Sequence, residues 1–302
     1  MNILITGATG VIGTHLVKAC LSKGHRIHFL TTRKEKIESK TNYKGFYWNP
    51  DTGEVDNQAF KDVTVIIHLA GASISKRWTK SYKKVILDSR IKTAKLLFTA
   101  MQNNEHSVTH FVSASGVSIY PPSFTKFYTE EDNEVDNSFL GEVVKAWEDA
   151  ANQFKQLGIK VTKVRTGLVL ATEGGALPAI AAPVRKGVGA PLGSGNQWQS
   201  WIHIDDMTNI YLNIIENGWG GTINAVSPNP ATNKRLTKLI AKTLKKPLWL
   251  PNVPAFVLKL LLGEMSMLVL QGQLVSSKRL EEAGFSFRFF NLESALDDLL
   301  KD

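Results

Sequence analysis

The chain has almost no cysteine. Cys20 is the single one in 302 residues, so an internal disulfide framework is excluded and the sequence reads as that of a reducing, cytoplasmic compartment. Long apolar runs are missing too: none reaches the roughly 18 residues that a bilayer-crossing helix needs. The nearest, Val253–Leu262, is interrupted by Pro254 and Lys259 and reads as a packed helix. Met1 to Gly7 shows neither a charged leader region nor a cleavage site, so no signal peptide is expected. Acidic charge is in deficit, with 27 Asp and Glu against 36 Lys and Arg, a net of +9. That surplus admits a nucleic-acid partner, but the cations form no block. Lys234, Lys238, Lys242 and Lys245 recur at helical spacing, as on the wet face of one helix. No aromatic residues interleave with them to stack on bases. The expectation is therefore no nucleic-acid and no membrane partner, a small-molecule substrate, anionic phosphate ligands, and either a monomer or a homodimer.

What is present is an ordinary globular composition, 43% hydrophobic and 21% charged, ordered as alternating strands and helices. Asn2–Thr6 is a short apolar run ending in glycines, the mark of a buried parallel strand. Val11–Ser22 has helical periodicity, and Arg26–Thr31 reads as a second strand. Further strands are expected at Gly45–Trp48, Val63–Leu69, Thr109–Ser113 and Lys160–Arg165, with helices at Lys80–Gln102 and Ser138–Leu157. This alternation predicts an α/β fold, a doubly wound parallel sheet with helices on both faces. After Thr166 the texture changes. Gly174–Gly195 is rich in Gly, Pro and Ala, and a loop of that length suits a substrate-side lid. Beyond it the pattern gives a strand (Trp201–Ile204), a helix (Asp206–Glu216), a strand (Thr222–Val226), a helix (Asn233–Leu244) and short helices ending in Leu292–Leu300. The predicted division is a Rossmann domain over residues 1–166, with 201–227 returning to it, and a smaller substrate-side lobe over 167–302.

The first turn carries the chemistry. Gly7-Ala8-Thr9-Gly10-Val11-Ile12-Gly13 follows an apolar strand and opens an amphipathic helix. Gly7 permits the tight turn, Gly10 lets backbone approach a pyrophosphate, and Gly13 lets helix and strand pack closely. The helix N-terminus offers free N–H groups and partial positive charge, so Gly7, Thr9, Gly10, Val11, Ile12 and Gly13 are expected to bind a dinucleotide. The end of the second strand selects which. A carboxylate about 20 residues on would bind the ribose 2′-hydroxyl of NAD. Here Thr31-Thr32-Arg33-Lys34 stands instead, and Thr32 and Arg33 can donate to a 2′-phosphate, so NADP (NADPH) is the expected cofactor.

With that turn, Leu69-Ala70-Gly71 and Ser113-Ala114-Ser115 make the chain resemble the extended short-chain dehydrogenase/reductase superfamily. Arg77-Trp78-Thr79, Asp88-Ser89-Arg90, Trp147-Glu148, Arg165-Thr166-Gly167, Pro191–Gly195, Ser200–Asp206, Leu262–Met265 and Gly272-Gln273 carry a narrower resemblance. It is to atypical members, NAD(P)-dependent epimerases with an added C-terminal domain, and it covers essentially the whole chain. The resemblance implies cofactor contacts at Leu69, Ala70, Gly71, Arg90, Arg165, Thr166 and Gly167, with the last two beside the nicotinamide. It implies an oxidoreductase or epimerase, a nucleotide sugar being one candidate substrate; a catalytically silent NADP-binding regulator is the alternative. Ordinary members use a Ser, a Tyr and a Lys four residues after the Tyr. Ser115 fits the first. Aligning Glu148 with the acidic residue that often follows the Lys puts Leu140 and Val144 at the Tyr and Lys positions, and neither can transfer a proton. An Asn that usually assists stands as Arg90.

Several other groups are candidates for the missing proton donor. Tyr120 either faces the nicotinamide or packs beside Pro121. Glu142 and Lys145 suit a solvated pair. His203 before Asp205-Asp206 reads as a structural histidine, with Asp205 capping the next helix and no metal site. Glu264, in an apolar stretch, reads as a buried polar contact. In the loop over the cleft, Gln197, Trp198 and Trp201 either stack on a flat or sugar-like ligand or belong to the core of the lobe.

Overall fold

The computed structural model describes residues 1–301. Its centre is a nine-stranded sheet. Seven strands in it run parallel: β1 (Asn2–Thr6), β2 (Arg26–Thr31), β3 (Tyr43–Asn49), β4 (Val65–His68), β5 (His110–Gly116), β6 (Lys160–Thr166) and β7 (Gly221–Ala225). Their spatial order is β7-β6-β5-β4-β1-β2-β3. From β1 the chain first winds outward through β2 and β3, then returns to β4 and winds the other way. A crevice opens at such a reversal, outside the carboxyl ends of β1 and β4.

The eight main helices are α1 (Val11–Ser22), α2 (Lys80–Gln102), α3 (Phe139–Asn152), α4 (Leu177–Arg185), α5 (Ile204–Asn217), α6 (Asn233–Thr243), α7 (Ala255–Leu262) and α8 (Leu292–Leu300). Burial explains why β1 and β4 are continuously apolar. Ile3, Ile5 and Ile67 pack with Leu16 and Cys20 of α1 and with Met207 and Ile210 of α5. Leu4 and Ile66, pointing the other way, pack with Ala94 and Leu97 of α2 and with Ala151 of α3. A third core joins α4, α6 and α8 around Leu170 and Trp201.

Three segments differ from their sequence reading. Gly174–Gly195 contains α4; Pro178 sits in its first turn, where a missing N–H costs nothing, and the alanines that follow favour the helix. Trp201–His203 pairs with Leu168–Leu170 outside the main sheet, and Ile204 already belongs to α5. The packed helix expected at Val253–Leu262 forms as α7, but only its Leu258 is buried.

Two buried histidines pin the sheet. His68, at the end of β4, lies with Nδ1 2.8 Å from Thr6 Oγ1 and Nε2 3.1 Å from Thr93 Oγ1. The Ala70 N–H donates to Thr6 Oγ1 and Thr93 Oγ1 donates to the Ser89 carbonyl. The Thr93 proton is committed to the Ser89 carbonyl, so His68 Nε2 donates to Thr93, and in the neutral ring Nδ1 accepts from Thr6. His110, on β5, donates in the same way to Thr162 Oγ1, which in turn donates to the Trp219 carbonyl. Burial, reinforced by the charges of Arg90 and Lys160 respectively, pushes His68 down to about 3 and His110 down to about 4.

Both folded-state values lie below that of a free histidine, so the unfolded chain binds more protons under acid conditions. The stabilisation is complete above the unfolded value near 6.5 and is lost as pH falls toward the folded values, at about 1.4 kcal/mol per pH unit for each residue. Urea unfolding should show stability about 3–4 kcal/mol lower at pH 5 than at pH 7.5. A flat profile across that interval would show that these rings are not held neutral.

Candidate functional site

The crevice is built on backbone contact. Gly7 has φ +72°, and a Cβ there would lie 2.9 Å from the Leu69 carbonyl carbon; a Cβ on Gly13 would lie 2.1 Å from the Gly7 oxygen. Neither position tolerates a side chain, so the turn seats directly on the end of β4. Helix α1 begins at Gly10 with no side-chain cap and no acid in its first turn, which leaves its N–H groups for an anion. Val11 and Ile12 turn their side chains toward the core of the lobe. Beside them lies a cleft of about 1000 Å³, whose lining includes Thr9, Thr32, Arg33, Lys36, Ala70 and Gly71. Arg33 is placed by its own N–H, which donates to Thr31 Oγ1 at 3.2 Å. The rim carboxylates are engaged: Asp51 accepts from Lys92 at 2.9 Å and Asp88 from Lys84 at 2.6 Å. Arg33 and Lys36 make no ion pair among the described residues, so their corner of the cleft is cationic.

The opposite wall is the loop after β4, fixed residue by residue. Ala70 N–H donates to Thr6 Oγ1 and Ala72 N–H to Ser89 Oγ. The Ser73 carbonyl accepts from the Tyr82 hydroxyl and that of Ile74 from the Trp78 indole. Arg90 lies behind Gly71, its guanidinium donating to the carbonyls of Ile86 and Ala72 at 2.9 and 3.3 Å and stacking over Trp147. It braces this loop from the interior side.

Further along the sheet, one carboxylate organises the other half of the site. Ser115, Arg165 and Asn224 lie side by side on β5, β6 and β7, facing α3. Glu148 of α3 receives Ser115 Oγ at 2.7 Å, Arg165 Nε at 2.8 Å, Arg165 Nη2 at 3.1 Å and Lys163 Nζ at 3.1 Å. Burial by itself would raise the Glu148 carboxyl. The hydrogen bond and charge of Arg165, the charge of Lys163 and the Ser115 hydroxyl outweigh it and hold the group below the usual carboxylate range. Arg165 also donates to the Tyr120 hydroxyl at 2.7 Å. That hydroxyl lies 2.8 Å from the Thr129 carbonyl and 2.9 Å from Asn224 Oδ1, and burial raises its pKa. Tyr120 is fully buried; of the two sequence readings, it follows the packed one.

Leu140 and Val144, which the resemblance aligns with the usual Tyr and Lys, both lie among apolar side chains. Leu140 packs with Trp78, Ile86 and Val143, and Met265, Met267 and Leu268 close on that cluster from the C-terminal segment. Val144 packs with Ile119, Tyr120 and Val275. Glu264 is 64% exposed and pairs with Lys83 at 2.8 Å; the expected buried contact is instead a surface link across the same closure. Thr166 ends β6 and Gly167 follows it; a Cβ on Gly167 would lie 2.2 Å from the Ser200 oxygen, so glycine is required for this close approach.

The cleft loop corrects the expected substrate contacts. Trp201 is a fully buried core residue whose indole donates to the Asn229 carbonyl. It cannot stack on a ligand. Gln197 is buried and donates to the carbonyls of Leu192 and Val269, and the Trp198 indole donates to that of Phe124. The loop is thus stitched to its surroundings by the very groups proposed to read a substrate. His203, not Asp205, caps α5, its Nδ1 accepting from the Asp205 N–H, while Asp205 pairs with Arg288. Glu142 is exposed and Lys145 pairs with Asp149. Sequence reading missed Lys36 and the Thr6–His68–Thr93 relay. For the carboxylate cluster a signal existed: Lys163 and Arg165, two apart on a strand, share a face, which calls for an acid on the covering helix.

Comparison with known proteins places this geometry. A family model described as the NAD dependent epimerase/dehydratase family matches residues 3–226, and one described as a domain of unknown function (DUF1731) matches residues 253–299. An epimerase family protein of Staphylococcus epidermidis, SERP0438, is 37% identical over 99% of this chain and 98% of its own length. Epimerase family protein YfhF of Bacillus subtilis is 36% identical over 100% and 99%. Among solved structures, human epimerase family protein SDR39U1 with NADPH superposes with a TM-score of 0.86 at 29% identity, covering 100% of both chains. UDP-glucuronic acid 4-epimerase of Bacillus cereus, in complex with UDP-glucuronic acid and NAD, gives 0.78 at 17% identity over 100% and 99%, a likeness of fold alone.

The buried cluster predicts strong coupling. Glu148→Ala leaves Arg165 and Lys163 facing each other without a counter-charge and should lower unfolding stability by about 3–5 kcal/mol. Arg165→Leu should cost a similar amount, and the double variant clearly less than the sum. A loss below about 1 kcal/mol for either single variant in denaturant titration would place the pair at an exposed site instead.

Proposed function

The chain belongs to the NAD dependent epimerase/dehydratase family, and on that premise we propose that it is an NADP(H)-binding oxidoreductase or epimerase that works without a tyrosine–lysine pair. Its substrate is a small molecule, with a nucleotide sugar as the first candidate. The observation that carries the reading is the cleft itself: an uncapped helix N-terminus over glycine backbone at one end, and the unpaired cations Arg33 and Lys36 at the other. That donor set suits a pyrophosphate and a ribose 2′-phosphate. The human relative solved with NADPH, 29% identical over its whole length, supports the same choice.

NADPH in this cleft would supply hydride chemistry; the protein supplies placement. The Gly7–Gly13 turn would hold the pyrophosphate and the Leu69–Gly71 loop would wall the cleft, with Thr166 and Gly167 on the nicotinamide side. Ser115 gives its proton to Glu148, so it can only accept a hydrogen bond from a substrate hydroxyl. Leu140 and Val144 move no proton, and the Tyr120 hydroxyl is held by Arg165 away from solvent. The proton therefore comes from water or from the substrate, without the 10²- to 10⁴-fold or so that a positioned acid typically adds. Turnover on common nucleotide sugars should be slow. A second reading, a catalytically silent NADP-binding regulator, is favoured by the Met265, Met267 and Leu268 side chains closed over Leu140.

Calorimetric titration of both cofactors tests the reading. Arg33→Ala should weaken NADP by roughly 10- to 150-fold, the loss of a charge-assisted hydrogen bond, with NAD almost unchanged. Lys36→Ala should act in the same direction. Equal losses for NADP and NAD would show that this corner does not read the 2′-phosphate. Turnover of tens of molecules per second on any nucleotide sugar, followed by nicotinamide absorbance or NMR, would overturn the reading of a slow site, roughly the middle of the range of ordinary enzymes.

A further inference from the structure

The lobe carries a surface that the cleft does not use. Between Asn217 and Gly263 the sequence has no Asp or Glu, while Lys and Arg recur through it. Part of its surface is also apolar. Trp249 is 68% exposed, Phe256 71%, Leu260 80% and Leu261 65%. On α7, at 100° per residue, Phe256 and Leu260 share a face and Leu261 stands a further 100° round. Lys259 is the one charged side chain of the helix.

The elements are tied together. The Trp249 indole donates to the Gly187 carbonyl at 2.9 Å, beside the exposed Val188. The Val253 N–H donates to the Pro191 carbonyl and the Gly193 N–H to that of Val253. The strap 249–253 therefore runs along 187–193 and leads straight into α7. Cations border it: Arg185 and Lys186 at the end of α4, Lys245 and Lys246 just past α6, and Lys259. All five are exposed and none forms an ion pair among the described residues. Lys245 holds φ +52° to turn the chain out of α6.

We propose that this strap-and-helix face docks the protein on an anionic lipid surface. No described helix is long and apolar enough to cross a membrane, so the contact lies on the bilayer and does not span it. The charge is complementary: a strap and helix without an acidic side chain, bordered by cations that form no ion pair among the described residues, meet lipid phosphates, at roughly fivefold in affinity per cation near the surface. The helix fits an isotropic medium better than a protein groove. Its exposed apolar arc turns through more than one side, whereas groove-bound helices present a single stripe. Trp249, with its indole N–H already satisfied, has the amphipathic ring that settles at a headgroup boundary. The proposal departs from the expectation of no membrane partner, which rested on the lack of an apolar run long enough to span a bilayer.

The experiment uses the full chain and vesicle flotation. Binding is expected to vesicles containing phosphatidylglycerol and to fall toward zero on phosphatidylcholine alone, and to weaken as salt shortens the screening length. Lys245→Glu with Lys246→Glu should weaken it by about 30-fold or more. Phe256→Ser with Leu260→Ser should weaken it by at least about tenfold, these side chains being exposed in the folded chain. NADP affinity should be unchanged in both variants, since neither pair lines the cleft. Equal behaviour on the two vesicle types, or binding indifferent to both variants, overturns the proposal. So does a dimer in light scattering that Phe256→Ser dissociates, since a second copy would then be the occupant.

Discussion

The far half of the sheet, from β5 to β7, depends on keeping one negative charge where water cannot reach it. Glu148 sits under the sheet between α3, β5 and β6, and burying a carboxylate is affordable only with full compensation. Arg165 and Lys163 provide it from one strand face and Ser115 from the next. Arg165 must then satisfy the rest of its guanidinium, which fixes Tyr120, and Tyr120 engages Asn224 and the Thr129 carbonyl. Each partner is chosen by the need of the one before. The chain of contacts ties β5, β6, β7 and α3 into a single unit, and it takes up the hydroxyls of Ser115 and Tyr120.

This arrangement divides the molecule by chemistry. At the Gly7–Gly13 turn the ordinary requirements of a dinucleotide site are all met, down to glycines that admit no Cβ. Past β5 the character changes. Leu140 and Val144 pack into apolar clusters, and a buried ion cluster occupies the layer beneath.

Much of the framework was legible because its signals are local. The alternation around Asn2–Thr6, Arg26–Thr31 and Lys160–Arg165 reports two-sided burial, and the structure places all three in one parallel sheet. The glycine turn is legible because only glycine meets its steric demands. What was not legible depends on neighbours distant in sequence. Trp201 looks like a ligand platform until the lobe closes around it. Glu264 looks buried among leucines until Lys83, 181 residues earlier, draws it to the surface. His203 takes the capping role from Asp205 because Arg288, from the tail, claims that carboxylate. An apolar string such as Ala255–Leu262 has the same composition whether or not anything covers it.

The closure of Met265, Met267 and Leu268 over Leu140 also sets a timetable. Residues 263–270 are made long after the surface they cover, which is laid down by Trp78, Phe139 and Leu140. The short strand Leu274–Val275 likewise completes a pair with Phe127–Tyr128. A ribosome-bound chain can assemble β1 to β6 and the glycine turn while this apolar face still waits for its cover. Until that segment emerges, the face is open to wrong partners, and the slow long-range step waits for it. A chain cut before Gly263 would keep its nucleotide turn and never lose that exposure.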